Sequence, residues 1–160
     1  MNYLIDGHNL IGKLANIDLG MVDDELQLIE TLNHFGQHNR GKLEVYFDGA
    51  PPNQAGTQNF GRVRAHFVPR HQTADQAISI QLGKLGKSAK NWVVISSDRS
   101  VQVAARAAQA GVMPSEQFAE RVQASLQEQI GEEQTTADGT LSEQEVNEWL
   151  SIFKGRNSQK

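Results

Sequence analysis

The chain has 160 residues, a net charge of −4 and no cysteine. Its length can bury one substantial core, and the absence of thiols excludes disulfides and thiolate metal sites and suits a reducing cytoplasm. There is no basic segment followed by an apolar stretch and cleavage site, and no apolar run of membrane-spanning length, so a soluble cytoplasmic protein without a membrane partner is expected.

Tyr3-Leu4-Ile5 is an apolar run too short for a helix and stopped by Asp6-Gly7, the pattern of a strand buried on both faces. Asn9-Leu10-Ile11-Gly12 then leads into a polar stretch ending at Gly20. Over 21–38, Met21, Val22, Leu26, Leu28, Ile29, Leu32 and Phe35 recur at helical spacing, with Asp23, Asp24 and Glu25 in the first turn. Lys42 to Phe47 reads as a second strand, ended by Asp48-Gly49, and residues 49–60 read as a loop rich in Gly, Pro, Asn and Gln. A third strand follows over 62–68, with Val63, Ala65 and Phe67 on one face.

Thr73 and Gln76 have the spacing of a capping box, opening a helix that ends near Gly86 and carries Asp75 in its first turn. Trp92-Val93-Val94-Ile95 is the most strand-like run and leads through Ser96-Ser97 to Asp98. An Ala-rich helix spans 99–110, Val112-Met113 makes a short edge strand, and Ser115 opens a helix to about Gln129. This alternation predicts an α/β fold with a mainly parallel central sheet flanked by helices. The expected boundaries are a domain over 1–130, a linker over 131–141, a C-terminal helix over 142–153 and a tail over 154–160. Asp138-Gly139 to Glu145 imitates half a calcium loop, but Gln134 and Thr136 stand where earlier carboxylate ligands belong, so calcium is rejected there.

Charge is unevenly spread. Residues 1–58 balance to −5, residues 59–106 to +6, and residues 107–160 to −5. A basic middle between acidic ends can present a positive face to phosphates. Lys84, Lys87 and Lys90 read as solvated helix and loop residues. Arg62, Arg64, Arg70 and Arg99 flank the acids. His8 and His71 lie near them, either on the surface or in contact with substrate.

Three strand-like runs end in aspartate: Asp6, Asp48 and Asp98. In a parallel sheet such ends lie along one edge, where ligands bind, and Asp75 joins them from the helix after the third strand. Taken singly, Asp48 reads as a turn residue and Asp75 as a helix-dipole residue. Together, converging carboxylates repel unless a cation neutralises them, and hard oxygen donors favour Mg²⁺ or Mn²⁺. No glycine-rich nucleotide fingerprint, phosphate loop or nucleophile elbow competes with that reading.

The ordered motifs Tyr3-Leu4-Ile5-Asp6-Gly7-His8-Asn9-Leu10-Ile11, Val45-Tyr46-Phe47-Asp48, Thr73-Ala74-Asp75 and Ile95-Ser96-Ser97-Asp98 resemble the NYN domain of the YacP-like nucleases, within the PIN-like superfamily of metal-dependent ribonucleases. The likeness covers roughly residues 3–125. It implies a PIN-like (NYN) fold and a Mg²⁺-dependent endoribonuclease, with Asp6, Asp75 and Asp98 as metal ligands. It also implies that Asp48 supports the site and that Asn9 orients ligand or substrate. Relatives act in RNA turnover, some on the ribosome, which makes RNA and the ribosome the expected partners. Two positions depart from the pattern. Gln76 and Ser100 stand where the family or its superfamily often carries further acids.

The expected function is hydrolysis of RNA by a carboxylate-held Mg²⁺ or Mn²⁺, with Arg70 and Arg99 as the first choices for phosphate contacts, joined by Arg62 and His71. Gln76 and Ser100 support an alternative, an RNA-binding module without catalysis. Trp149 and Phe153 support another, an interaction domain with a merely structural acidic edge.

Overall fold

The computed structural model describes residues 1–15, 17 and 23–135, with side chains to 128. Met21 and Val22, the end of the expected linker, the C-terminal helix with Trp149 and Phe153, and the tail lie outside the described residues. The chain divides into two compact units, Met1–Val122 and Gln123–Lys160.

The first unit holds a six-stranded sheet in the order β3-β4-β2-β1-β5-β6. The strands are β1 (Asn2–Asp6), β2 (Leu43–Ala50), β3 (Gly56–Phe60), β4 (Val63–Pro69), β5 (Trp92–Ile95) and β6 (Gly111–Met113). All pairs are parallel except β3 with β4. The helices are α1 (Gly7–Ile11), α2 (Asp24–Gly36), α3 (Ala74–Leu85), α4 (Arg99–Ala107) and α5 (Ser115–Thr135), with a 3-10 turn over Gly86–Asn91. The expected α/β fold with a mainly parallel sheet is therefore present. Of the second unit, the described part is the continuation of α5 through 123–135.

β1 is central because both its faces are apolar and covered. Alternation sends Leu4 to one face, where it joins Tyr46, Val94, Ala74, Ile78, Leu82, Val101 and Ala105 beneath α3 and α4. Tyr3 points the other way, its ring 5.0 Å from Phe118 of α5 and 6.2 Å from Phe35 of α2.

Three features differ from the sequence expectation. The stretch 49–60 is not all loop, since β3 lies within it. Four of the five β3 residues are exposed, so the strand carries no apolar alternation and owes its form to hydrogen bonding with β4. β2 does not stop at Phe47. It bulges through Asp48 and Gly49 (φ 79°) and pairs again at Ala50 with Pro69. Finally, α1 follows β1 at once, and α5 runs to Thr135 where an end near Gln129 was expected.

Candidate functional site

The C-terminal edge of the parallel strands gathers the acids. Asp6 ends β1 and is buried, only 7% exposed. The turn into α1 demands glycine next: a Cβ on Gly7 would lie 2.4 Å from the Phe47 ring and 2.9 Å from the Tyr46 carbonyl oxygen. Ser96, fully buried at the end of β5, donates its hydroxyl to Asp6 Oδ2 at 3.0 Å. Burial pushes the Asp6 carboxyl up to about 6; the Ser96 bond opposes that rise, and the charges of Asp75, Asp48 and Asp98 add to it.

Asp98 and Asp75 come from the helices covering the face to which Leu4 points. Asp98 caps α4, accepting the Ser100 amide at 2.8 Å. The Ser100 hydroxyl lies 2.7 Å from Asp98 Oδ1 and 3.1 Å from Asp75 Oδ2. A hydroxyl has one proton to donate, so Ser100 serves one of the two carboxylates at a time. The Ser100 hydroxyl and then its amide hold the Asp98 carboxyl below its usual range. Asp75 sits in the first turn of α3, whose Thr73–Gln76 capping box is complete in both directions. Gln76 and Ser100, the two departures from the family pattern, thus have visible tasks: one closes a helix cap and the other joins two acids.

Asn9 and Asp48 are held more firmly than sequence alone suggests. Asn9 Oδ1 accepts from the Ser97 amide at 2.9 Å and from the Ser115 hydroxyl at 2.6 Å, tying α1 to the β5–α4 loop and to the start of α5. Asp48, on the bulge, faces His8 Nδ1 at 3.0 Å, while His8 Nε2 meets Glu25 at 2.8 Å. An acid at each ring nitrogen favours imidazolium, and the Glu25 bond is the largest influence lifting His8 to about 9. Sequence reasoning gave Ser96 and Ser100 no task in the site, and it read His8 as a surface residue or a substrate contact, not as the partner of Asp48 and Glu25. The two serines lie within two residues of Asp98, and His8 lies two residues from Asp6, which was their available signal.

The basic candidates divide. Arg70 and His71 follow β4 at the acidic edge, and Arg99 opens α4 there, Arg70, His71 and Arg99 all exposed. An open groove of about 670 Å³ runs past His71, Asp75, Gln76, Ile80 and Ser100. Arg62 does not belong to this edge. It precedes β4, and its guanidinium donates to the carbonyls of Asn39 and Gly41, before the start of β2. Arg64 stands near that same end, on β4 opposite Glu44. The expectation that Arg62 and Arg64 flank the acids is corrected, because parallel strands put their beginnings and ends on opposite edges.

Among the described residues, no three His, Asp or Glu side chains stand together as a ready metal-ligand group. The donor chemistry nevertheless fits a hard divalent cation. Asp6 is buried facing other carboxylates, and no Lys or Arg is ion-paired with Asp6, Asp75 or Asp98 among the described residues.

The model of the YacP-like NYN domain family matches residues 3–154. The chain belongs to that family. Its fold is similar to two crystal structures of Rae1 (YacP) from Bacillus subtilis. One, a mutant form, has a TM-score of 0.72 at 21% identity, over 93% of this chain and 92% of that one. The other has a TM-score of 0.69 at 20% identity, over 99% and 95%. A comparison with curated proteins gives no significant match. The family resemblance read from the four motifs and the fold expected from it are both shown, and the fold is that of the PIN-like nucleases. No helix among the described residues is long and apolar enough to cross a membrane.

Proposed function

We propose that this chain is an endoribonuclease that cuts RNA phosphodiester bonds with the help of Mg²⁺ or Mn²⁺ held by Asp6, Asp75 and Asp98. The observation carrying this reading is Asp6: a buried carboxylate facing three others at a sheet edge, with no Lys or Arg among the described residues paired to it. A divalent cation there, when bound, neutralises the cluster, polarises a phosphate and makes water a better nucleophile. The chain's own residues do the rest. Ser96 holds Asp6 in one orientation, and Asn9 fixes the loop bearing Ser96 and Asp98. Ser100 keeps Asp75 and Asp98 side by side, and His8 keeps the Asp48 charge occupied so that it supports the site. His71 lines the groove where an RNA strand would lie, and its chain neighbour Arg70 and the Ser100 neighbour Arg99 are exposed arginines suited to phosphates.

Incubating end-labelled single-stranded RNA with the protein tests this. Internal cuts are expected with Mg²⁺ or Mn²⁺, none with chelator, and background levels from Asp75→Asn. Chelator-resistant cutting would overturn the metal role. The lack of a ready three-ligand group among the described residues favours a second reading, an RNA-binding module of the same fold. Tight RNA binding without cutting under any divalent ion would select it.

A further inference from the structure

The opposite edge of the sheet carries its own charge pattern. The β3–β4 hairpin closes through Gly61 (φ 61°) and Arg62. Parallel pairing of Leu43 with Val63 then sets Lys42 next to Arg62, on strands about 4.8 Å apart. Arg40 joins from the preceding turn and Arg64 from β4. With Asn59 they line an open groove of about 340 Å³. One acid lines it, Glu44, and that carboxylate is engaged by His66 Nε2 at 2.6 Å. Among the described residues none of the four cations forms an ion pair with a carboxylate.

Four cations gathered around one groove, with Glu44 the single acid in its lining, make a local positive field that suits an anion. A chain of net charge −4 offers polyanions no general attraction, so any such contact must be local. The Arg62 guanidinium is already immobilised on two carbonyls and its amide on Asn33 Oδ1 at 2.7 Å, which lowers the entropy lost on binding. Charges spread over a turn and two strands suit successive phosphates better than one small anion, and arginine forks match phosphate oxygens.

We infer that Arg40, Lys42, Arg62 and Arg64 form a second RNA-backbone contact at the edge of the sheet opposite the carboxylates. It rests on RNA being the substrate class proposed above. From Leu43 to Asp48 is five strand steps, about 17 Å. An oligonucleotide can reach both edges, whereas a mononucleotide cannot. The groove therefore gives the protein a preference for longer RNA that the acidic edge alone does not supply.

Fluorescence anisotropy with a labelled single-stranded RNA, in chelator so that nothing is cut, tests the inference whether or not the protein is a nuclease. Arg40→Ala, Lys42→Ala and Arg64→Ala are combined, leaving Arg62 to hold the backbone. The control combines Lys84→Ala, Lys87→Ala and Lys90→Ala, which removes equal charge from exposed positions elsewhere. The groove variant is expected to bind more weakly and to lower the log–log salt slope by about 2, at roughly 0.7 per lost phosphate contact. The control should keep the parent slope. Thermal melts check folding, and Arg40→Gln or Lys42→Gln alone should each remove about 0.7 from the slope if the triple variant is unstable. Equal slopes in groove variant and control, no RNA binding by the parent, or stronger binding to anionic vesicles than to RNA would each overturn it.

Discussion

A carboxyl enclosed as Asp6 is, with three other acids acting on it, favours the protonated form. Its folded-state value of about 6 lies above the ordinary 3.8, so its contribution to stability is complete below about pH 4 and lost as pH rises through 6. A rise of that size corresponds to about 3 kcal/mol between the two protonation states. Asp6→Asn keeps an acceptor for Ser96 and removes the charge. In chelator this variant should match the parent near pH 4 and exceed it by about 2–3 kcal/mol at pH 8, with the gap opening between pH 4 and 6. Urea midpoints across that range measure it, and a variant less stable than the parent at pH 8 would mean that Asp6 is structurally paired. Sequence reading found the four acids because strand-end aspartates stand out against apolar runs. It missed the tasks of Ser96, Ser100 and His8 because each acts through a partner distant in the chain. Ser96 meets Asp6 across 90 residues, His8 meets Asp48 across 40, and Ser100 meets Asp75 across 25.

At the scale of elements, the junction of β1 with α1 admits little variation. A methyl at Gly7 would collide with the Phe47 ring and the Tyr46 carbonyl, both in β2, so Gly7→Ala forces strand and helix apart. Overpacking of this kind costs about 1–3 kcal/mol. The expected result is a Tm lowered by several degrees and a weakened response to Mg²⁺, since the shift moves Asp6 as well. A Gly7→Ala protein with the parent's Tm would show that β2 can retreat at no cost. The parallel strands were legible because each is an apolar run, and the capping box of α3 because Thr73 and Gln76 have the right spacing. β3 was not legible: a polar edge strand takes its conformation from its neighbour, and nothing in Gly56-Thr57-Gln58-Asn59-Phe60 alternates. Arg62 was misplaced for a related reason. Sequence shows that a residue is near a strand, but which edge it occupies depends on strand direction.

For the whole molecule, a cation bound at the acidic edge must stabilise the fold that binds it. At a hundredfold excess over Kd that amounts to about 2.7 kcal/mol, and for a chain of this size to a Tm rise of about 5–10 °C. The parent should show this rise with Mg²⁺ or Mn²⁺ and Asp75→Asn should largely lose it, as read by scanning calorimetry. No rise with either ion would leave the acidic edge without a metal role. The sheet order has a consequence in time as well as space. β1 is the middle of the structure, yet the strands on either side of it come later: Leu4 pairs with Glu44, 40 residues on, and with Val94, 90 residues on. At about 5–20 residues per second of synthesis, β1 waits roughly 5–18 s for β5 to be made. Until then its apolar faces and one of its two edges are left uncovered, the condition in which a folding chain is most prone to associate with others. Asp6 meets Ser96 at the end of the same wait, so the acidic edge assembles only when the central sheet closes.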